Sequence, residues 1–236
     1  MNLKYFQETQ QDQPEYHRAL HEAFCVETNK VPELKELRDY VEKEGYGFGE
    51  RSFYHMWSLV IDQMPQEFTF LEIGVYKGQV MVLIQLLANL KGKTCKVTGI
   101  TPLDSSGGHG DWNYAQDIKN LYKKYCTEDQ DMQIVTAKST DHECVEDFKE
   151  RAFDIVYIDG GHDYETVKSD IKHFSDKATQ YLVIDDCANK LKIPEGMFAG
   201  IESVSKAVDE ELPPFAENPN FEYMFNVVHN RIFKRK

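Results

Sequence analysis

The stretch Phe70-Leu71-Glu72-Ile73-Gly74-Val75-Tyr76-Lys77-Gly78 joins an apolar run to a turn that carries two glycines. The run is apolar almost throughout, as a strand buried on both faces should be. Gly74 and Gly78 let the backbone turn tightly and approach a ligand. The helical pattern that follows, Gln79–Leu90, offers free backbone N–H groups at its start. Strand, glycine turn and helix in that order form the first half of a βαβ unit.

Working outward, the same alternation repeats. Apolar runs at Thr69–Val75, Lys96–Thr101, Gln133–Ala137, Phe153–Asp159 and Tyr181–Asp186 are separated by helical patterns at Gln79–Leu90, Trp112–Tyr125, Glu143–Glu150 and Tyr164–Ser175. Such repeats predict right-handed crossovers and a parallel sheet. A helix near Ile201–Leu212 and the breaker Pro213-Pro214 then lead to Phe221–Val227 and Arg231–Arg235, which flank Val228-His229-Asn230 and read as a terminal antiparallel hairpin. The expected fold class is α/β: a Rossmann-like, doubly wound, mainly parallel seven-stranded sheet with a C-terminal antiparallel hairpin. Residues 1–50 are expected to be a helical N-terminal extension, serving as a lid or in oligomerisation, and 51–236 the catalytic domain. Within that first part Pro14–Cys25 and Pro32–Glu44 have helical spacing, and Gly45-Tyr46-Gly47-Phe48-Gly49 breaks it. That break is either a helix-linking turn or a lid. A further helix, about Arg51–Gln63, carries Phe53, Met56, Trp57, Val60 and Ile61 on its apolar face. The segment Met197–Val208 reads as a cover for the sheet, with Phe198 expected to pack in the core rather than to touch a substrate.

Composition narrows the function. The 236 residues carry a net charge of −13, which repels phosphate backbones and anionic membrane surfaces. No apolar run approaches the roughly 20 residues that span a bilayer. Five cysteines form no CxxC pair and no zinc spacing. With a polar N-terminus, they point to reduced thiols and a cytoplasmic setting. Neither nucleic acid nor a membrane is expected as a partner.

Ligands of such sheets bind outside the carboxyl ends of the strands. The first strand ends in E-x-G-x-x-x-G rather than the dinucleotide fingerprint G-x-G-x-x-G. Glu72 favours a cationic ligand and would repel a pyrophosphate. The fourth strand ends in Asp159, with His162 on the turn after it. The fifth ends in Asp185-Asp186, 26 residues beyond Asp159, a spacing suited to one helical crossover between neighbouring strands. Three carboxylates would then converge on one point. Like charges so close need compensation, and an oxygen-only donor set favours a hard divalent cation such as Mg²⁺, Mn²⁺ or Ca²⁺.

The segment from Phe70 to Gly78 resembles motif I of class I S-adenosylmethionine-dependent methyltransferases. Its form, E-I-G-V-Y-K-G, is similar to the branch that holds the Mg²⁺-dependent sugar O-methyltransferases, acting on rhamnose and macrolide sugars, and the cephalosporin-biosynthesis methyltransferase-like proteins. The resemblance covers about residues 50–235. It implies that Glu72, Gly74, Tyr76 and Gly78 line the methionine and ribose part of S-adenosylmethionine. Thr101 stands where the family usually has the ribose-binding acid, with Asp104 three residues further on. Ser139 or Thr140 would lie beside the adenine, or cap the following helix with Glu143 in its first turn. The resemblance further implies that Asp159, Asp185 and Asp186 bind Mg²⁺, that Asp159 also borders the cofactor, and that His162 is the base, with Asp159 as the alternative. The loop Ser105–Asp111 would border the site.

The expected activity is O-methyl transfer to a hydroxyl of a sugar or glycan acceptor. A catechol-like small-molecule acceptor would use the same metal set. A non-catalytic S-adenosylmethionine-binding protein is the reading from another class. Homo-oligomer formation is left open.

Overall fold

The computed structural model describes residues 3–103, 114–127, 131–212 and 220–236. Four helices come first: α1 (Leu3–Thr9), α2 (Pro14–Lys30), α3 (Pro32–Glu44) and α4 (Ser52–Asp62). Proline opens both α2 and α3, where its missing N–H is not needed. Gly45, at φ 66°, ends α3 in the left-handed conformation. Then strands and helices alternate: β1 (Glu67–Ile73), α5 (Gln79–Leu90), β2 (Thr94–Thr101), α6 (Tyr114–Tyr125), β3 (Met132–Thr136), α7 (His142–Asp147), β4 (Phe153–Ile158), α8 (Tyr164–Phe174) and β5 (Ala178–Ile184). After α9 (Glu202–Glu211) the described chain closes with β6 (Phe221–Val227) and β7 (Asn230–Arg235).

The seven strands form one sheet in the order β3-β2-β1-β4-β5-β7-β6. β1 to β5 run parallel, while β7 pairs antiparallel with both β5 and β6. This is the expected class: a mixed, mostly parallel Rossmann-like sheet with helices on both faces. The strand order reverses between β1 and β4, and there the carboxyl ends of both strands open a crevice.

Period-2 alternation splits the core in two. Phe70, Ile155, Tyr157, Tyr181 and Val183 face a core shared with α4, α5 and the N-terminal helices. Leu71, Val156, Ile158, Leu182 and Ile184 face the one under α7, α8 and α9. Leu37, Val41 and Phe24 belong to the first core, where α2 packs on α4 and α3 on α2 and α5. Trp57 of α4 meets Phe70 edge-on at 5.6 Å and Tyr157 at 5.3 Å.

Several boundaries differ from the sequence reading. α1 carries too few apolar residues to show a period, and it forms because Leu3 and Phe6 are buried. α2 runs to Lys30 rather than Cys25. α7 is shorter than expected and is capped by Asp141 rather than Ser139 or Thr140. Asp141 Oδ2 accepts from the Lys138 N–H instead of an N–H of the helix. The β6–β7 hairpin turns on two residues, Val228 and His229, so that Asn230 already pairs with Val227. Phe198 is not in the core but half exposed.

Gly74 fixes the spacing of β1 and β4 at the crevice. It sits at φ 96°, and a Cβ there would lie 1.9 Å from the Asp159 carbonyl oxygen. Gly74→Ala combines a disfavoured backbone with a main-chain clash. It should cost about 2 kcal/mol or more, and calorimetry of the variant should show a thermal midpoint lower by roughly 4–8 °C.

Candidate active site

Every residue expected at the site stands at the carboxyl ends of the parallel strands or just beyond, apart from Asp104, which lies outside the described residues, as does the loop Ser105–Asp111. A cavity of about 890 Å³ opens there. Its lining includes Glu72, Gly74, Tyr76, Thr101, Ser139, Thr140, Asp159, His162, Asp185 and Asp186. Gly78 does not line it. At φ 81° it turns the chain into α5.

Glu72, the penultimate residue of β1, is buried, and its Oε2 has no hydrogen-bond partner. Burial pushes its pKa up to about 8, a little opposed by the backbone of Met81 and raised further by the charge of Asp185. An orphaned, buried carboxylate on the wall of a cavity suits a ligand that brings positive charge or hydroxyl donors. Thr101 ends β2 with its Oγ1 accepting from the Leu103 N–H at 3.3 Å, which leaves its own O–H free to turn toward the cavity.

The acidic cluster forms where β4 and β5 end side by side. Ligand atoms of Asp159, His162 and Asp186 all lie within 4.8 Å of one another. His162 Nε2 is 3.3 Å from Asp186 Oδ2, and its side chain is half exposed. Burial, then the charges of Asp185 and Asp186, hold the Asp159 carboxyl well above the ordinary range. Asp186 is pushed up to about 6 by burial and by Asp185, against the opposing effect of His229 and His162. The cluster is therefore short of positive charge, and its oxygen-rich donor set with imidazole alongside fits a hard or borderline divalent cation.

Asp185 is held differently. Its Oδ2 accepts from the Tyr157 hydroxyl at 2.7 Å; its Oδ1 accepts from Asn230 Nδ2 and from the Asp186 N–H, both at 2.8 Å. Tyr157 also reaches Asp159 Oδ2 at 3.2 Å, so one hydroxyl ties the two strand ends together. His229 faces the same group, with Nε2 3.3 Å from Asp185 Oδ1 and Nδ1 3.3 Å from the Phe198 carbonyl. The backbone is shaped around this corner. Asp186 has φ 54°. Its carbonyl accepts from the Ile201 N–H at 2.8 Å, and a Cβ on Gly200 would come within 2.2 Å of that oxygen.

Against known proteins, residues 71–187 match the family described as a methyltransferase domain. The chain carries a methyltransferase domain. The matched segment runs from β1 to the residue after Asp186, so it contains both the Glu72 turn and the acidic cluster. No curated protein sequence matches the chain. Among solved structures, Rv0187 from MTB, cofactor-bound, has a TM-score of 0.58 and 15% identity over 87% of this chain and 90% of that one. An O-methyltransferase from Bacillus cereus in complex with SAH has a TM-score of 0.58 and 11% identity over 87% and 91%. The O-methyltransferase TomG from Streptomyces achromogenes, in complex with SAM, has a TM-score of 0.52 and 10% identity over 86% and 88%. At these identities the likeness is one of fold. No helix among the described residues is long and apolar enough to cross a membrane.

Around the methyltransferase site, the sequence reading missed Tyr157, His229 and Asn230. Tyr157 carried a signal, since two residues before Asp159 on a strand means the same face. His229 and Asn230 carried none. They reach the site only because β7 inserts between β5 and β6, which brings the hairpin turn to the tip of β5.

The buried Glu72 makes stability depend on pH. Its folded pKa, about 8, exceeds its ordinary value of 4.5, so between those limits the folded chain holds a proton that the unfolded chain has lost. Stability should fall as pH rises through that window, by up to about 1.4 kcal/mol per unit from this group. Glu72→Gln should flatten the slope. Ligand-free thermal melts at pH 5 and pH 8 check it: the variant should gain on the parent chain at pH 8 relative to pH 5.

Proposed function

We propose that this methyltransferase uses S-adenosylmethionine to methylate a hydroxyl of a sugar or glycan acceptor, assisted by a hard divalent cation. The observation that supports the reading best is the common cavity, which Glu72 and the Asp159–His162–Asp186 cluster both line.

S-adenosylmethionine, when bound, supplies an electrophilic methyl group on a positively charged sulfur. Glu72, which holds its proton up to about pH 8 in the free chain, would ionise against that positive charge. Gly74 lets the backbone approach the donor without a side chain between. Tyr76 and Thr101 would bound its methionine and ribose parts, and Ser139 and Thr140 its adenine. Asp159 stands between this region and the cluster.

A divalent cation, when bound, lowers the pKa of a neighbouring hydroxyl and fixes the angle of its oxygen. Asp159, Asp185 and Asp186 would hold it, with Asp185 kept in place by Tyr157 and Asn230. His162 is the proton acceptor in this scheme. It stands on the rim of the cavity with half its side chain open, and an imidazole is the usual side chain for accepting a proton. Asp159 is the second candidate base, since burial and its acidic neighbours raise its proton affinity.

One observation favours a second acceptor class. Phe198, His229 and Phe53 form an edge-to-face series beside the acids, with centroids 5.0 Å and 4.9 Å apart. Such faces accept a planar ring as well as the C–H face of a pyranose. A catechol-like phenol would present vicinal oxygens to the same cluster.

Methyl transfer from labelled donor to a panel of nucleotide sugars, glycosides and catechols separates the two. Turnover of a glycoside with inert catechols is the expected outcome, and the reverse would move the acceptor to the phenols. Chelator should abolish turnover and added Mg²⁺ should restore it. His162→Ala should lower kcat by about 10²–10⁴-fold while S-adenosylhomocysteine affinity stays within a factor of two or three by titration calorimetry. Full turnover in that variant would transfer the base role to Asp159.

A further inference from the structure

The segment from Gly45 to Gly49 is bound to the start of α5 by a set of polar contacts that the chemistry above does not use. Arg38, on α3, is buried, yet all three of its guanidinium nitrogens have partners. Nη2 donates to the Gly49 carbonyl at 2.8 Å, Nη1 to Gln79 Oε1 at 3.1 Å and Nε to Glu42 Oε1 at 2.7 Å. Gln79 is the first residue of α5, and its Nε2 donates to the Phe48 carbonyl at 2.9 Å. Lys77, in the turn before α5, donates from Nζ to the Gly45 carbonyl at 3.2 Å. Glu42 in turn joins Arg38 to Arg51, whose Nη2 lies 2.6 Å from Glu42 Oε2. Carbonyls at both ends of the segment and in its middle are thus held by side chains from α3, the motif turn and α5.

What the segment presents on its other side is the cavity. Tyr46, Gly47, Phe48 and Gly49 all line it. Phe48 stacks on Tyr76 of the motif turn, with centroids 5.4 Å apart and planes 25° apart, yet 63% of Phe48 is exposed. A large apolar ring held in place on a cavity wall is arranged for contact with a ligand. A helix-linking turn would need none of this, because Gly45 and the left-handed end of α3 suffice to turn the chain.

We propose that Gly45–Gly49 is a fixed wall of the methyl-donor pocket, on the side of the motif turn where the donor's amino-acid end would lie, and that Arg38 is the positioning residue that holds it. The N-terminal helices are then part of the active site rather than an appendage. This rests on the donor reading given above. Arg38 also borders the cavity, and its bonds go to the segment and to α5. It acts through the Phe48 and Gly49 carbonyls and through Gln79.

The test measures S-adenosylhomocysteine affinity of the full chain by calorimetry, and KM for S-adenosylmethionine against kcat. Arg38→Lys keeps the charge but cannot bridge three partners in one plane. It should weaken S-adenosylhomocysteine at least tenfold and raise KM by a similar factor, with kcat within threefold. Phe48→Ala removes an exposed ring and leaves the fold intact, and it should weaken the same ligand about three- to tenfold. A purely structural role for Arg38 would lower the thermal midpoint and leave Phe48→Ala at parent affinity. Parent-like affinity in Phe48→Ala overturns the proposal even if Arg38→Lys does not fold. Failure of the unmodified chain to bind S-adenosylhomocysteine overturns the donor reading and this proposal with it, whereas binding by the parent and by both variants alike overturns this proposal alone.

Discussion

Four carboxylates stand at the carboxyl ends of three adjacent parallel strands, and much of the surrounding structure exists to keep them there. Glu72 is the penultimate residue of β1, Asp159 follows β4, and Asp185 and Asp186 follow β5. Parallel pairing at one register leaves them no choice of direction, since the strands end side by side and their tips open into one crevice. Water is largely excluded, so each charge raises the proton affinity of the next. A chain with no compensation would neutralise these groups or deform. This one supplies a shared hydroxyl from Tyr157, an amide from Asn230 and two imidazoles, which fix the geometry without cancelling the charge. The remaining deficit is the reason the crevice suits cationic ligands.

That geometry is reinforced from outside the βαβ units. Trp57 on α4 packs edge-on against Tyr157, so the N-terminal helices bear on the residue that links Asp159 to Asp185. The C-terminal hairpin bears on the other side through His229 and Asn230. Two parts of the chain that flank the matched segment therefore close its site from opposite directions.

The sheet was legible because burial on both faces writes itself as unbroken apolar runs, and these survive in β1, β4 and β5. Glu72, Asp159, His162, Asp185 and Asp186 were legible because their sequence neighbours end such runs, and strand ends are where ligands go. Readings that depended on a single side chain's surroundings fared less well. Phe198 was expected in the core rather than against a substrate, but it is half exposed on the cavity. Ser139 and Thr140 had the chemistry of a helix cap, yet the helix starts two residues later, after Asp141. His229 depended on which strand the hairpin joins, a long-range choice that local patterns do not encode. The groups that hold Asp185, namely Tyr157, Asn230 and the Asp186 amide, were not legible from the strand pattern.

Asp186 carries two obligations at one position. Its carboxylate completes the cluster, and its backbone sits at φ 54°, a region that few residues other than glycine, asparagine and aspartate enter readily. Glycine and asparagine meet the second demand without the first, and glutamate meets the first without the second. Aspartate alone satisfies both, so sequence drift at this site has nowhere to go: the nearest exchange by charge is worse for the fold than the nearest exchange by shape, and neither leaves the cluster whole.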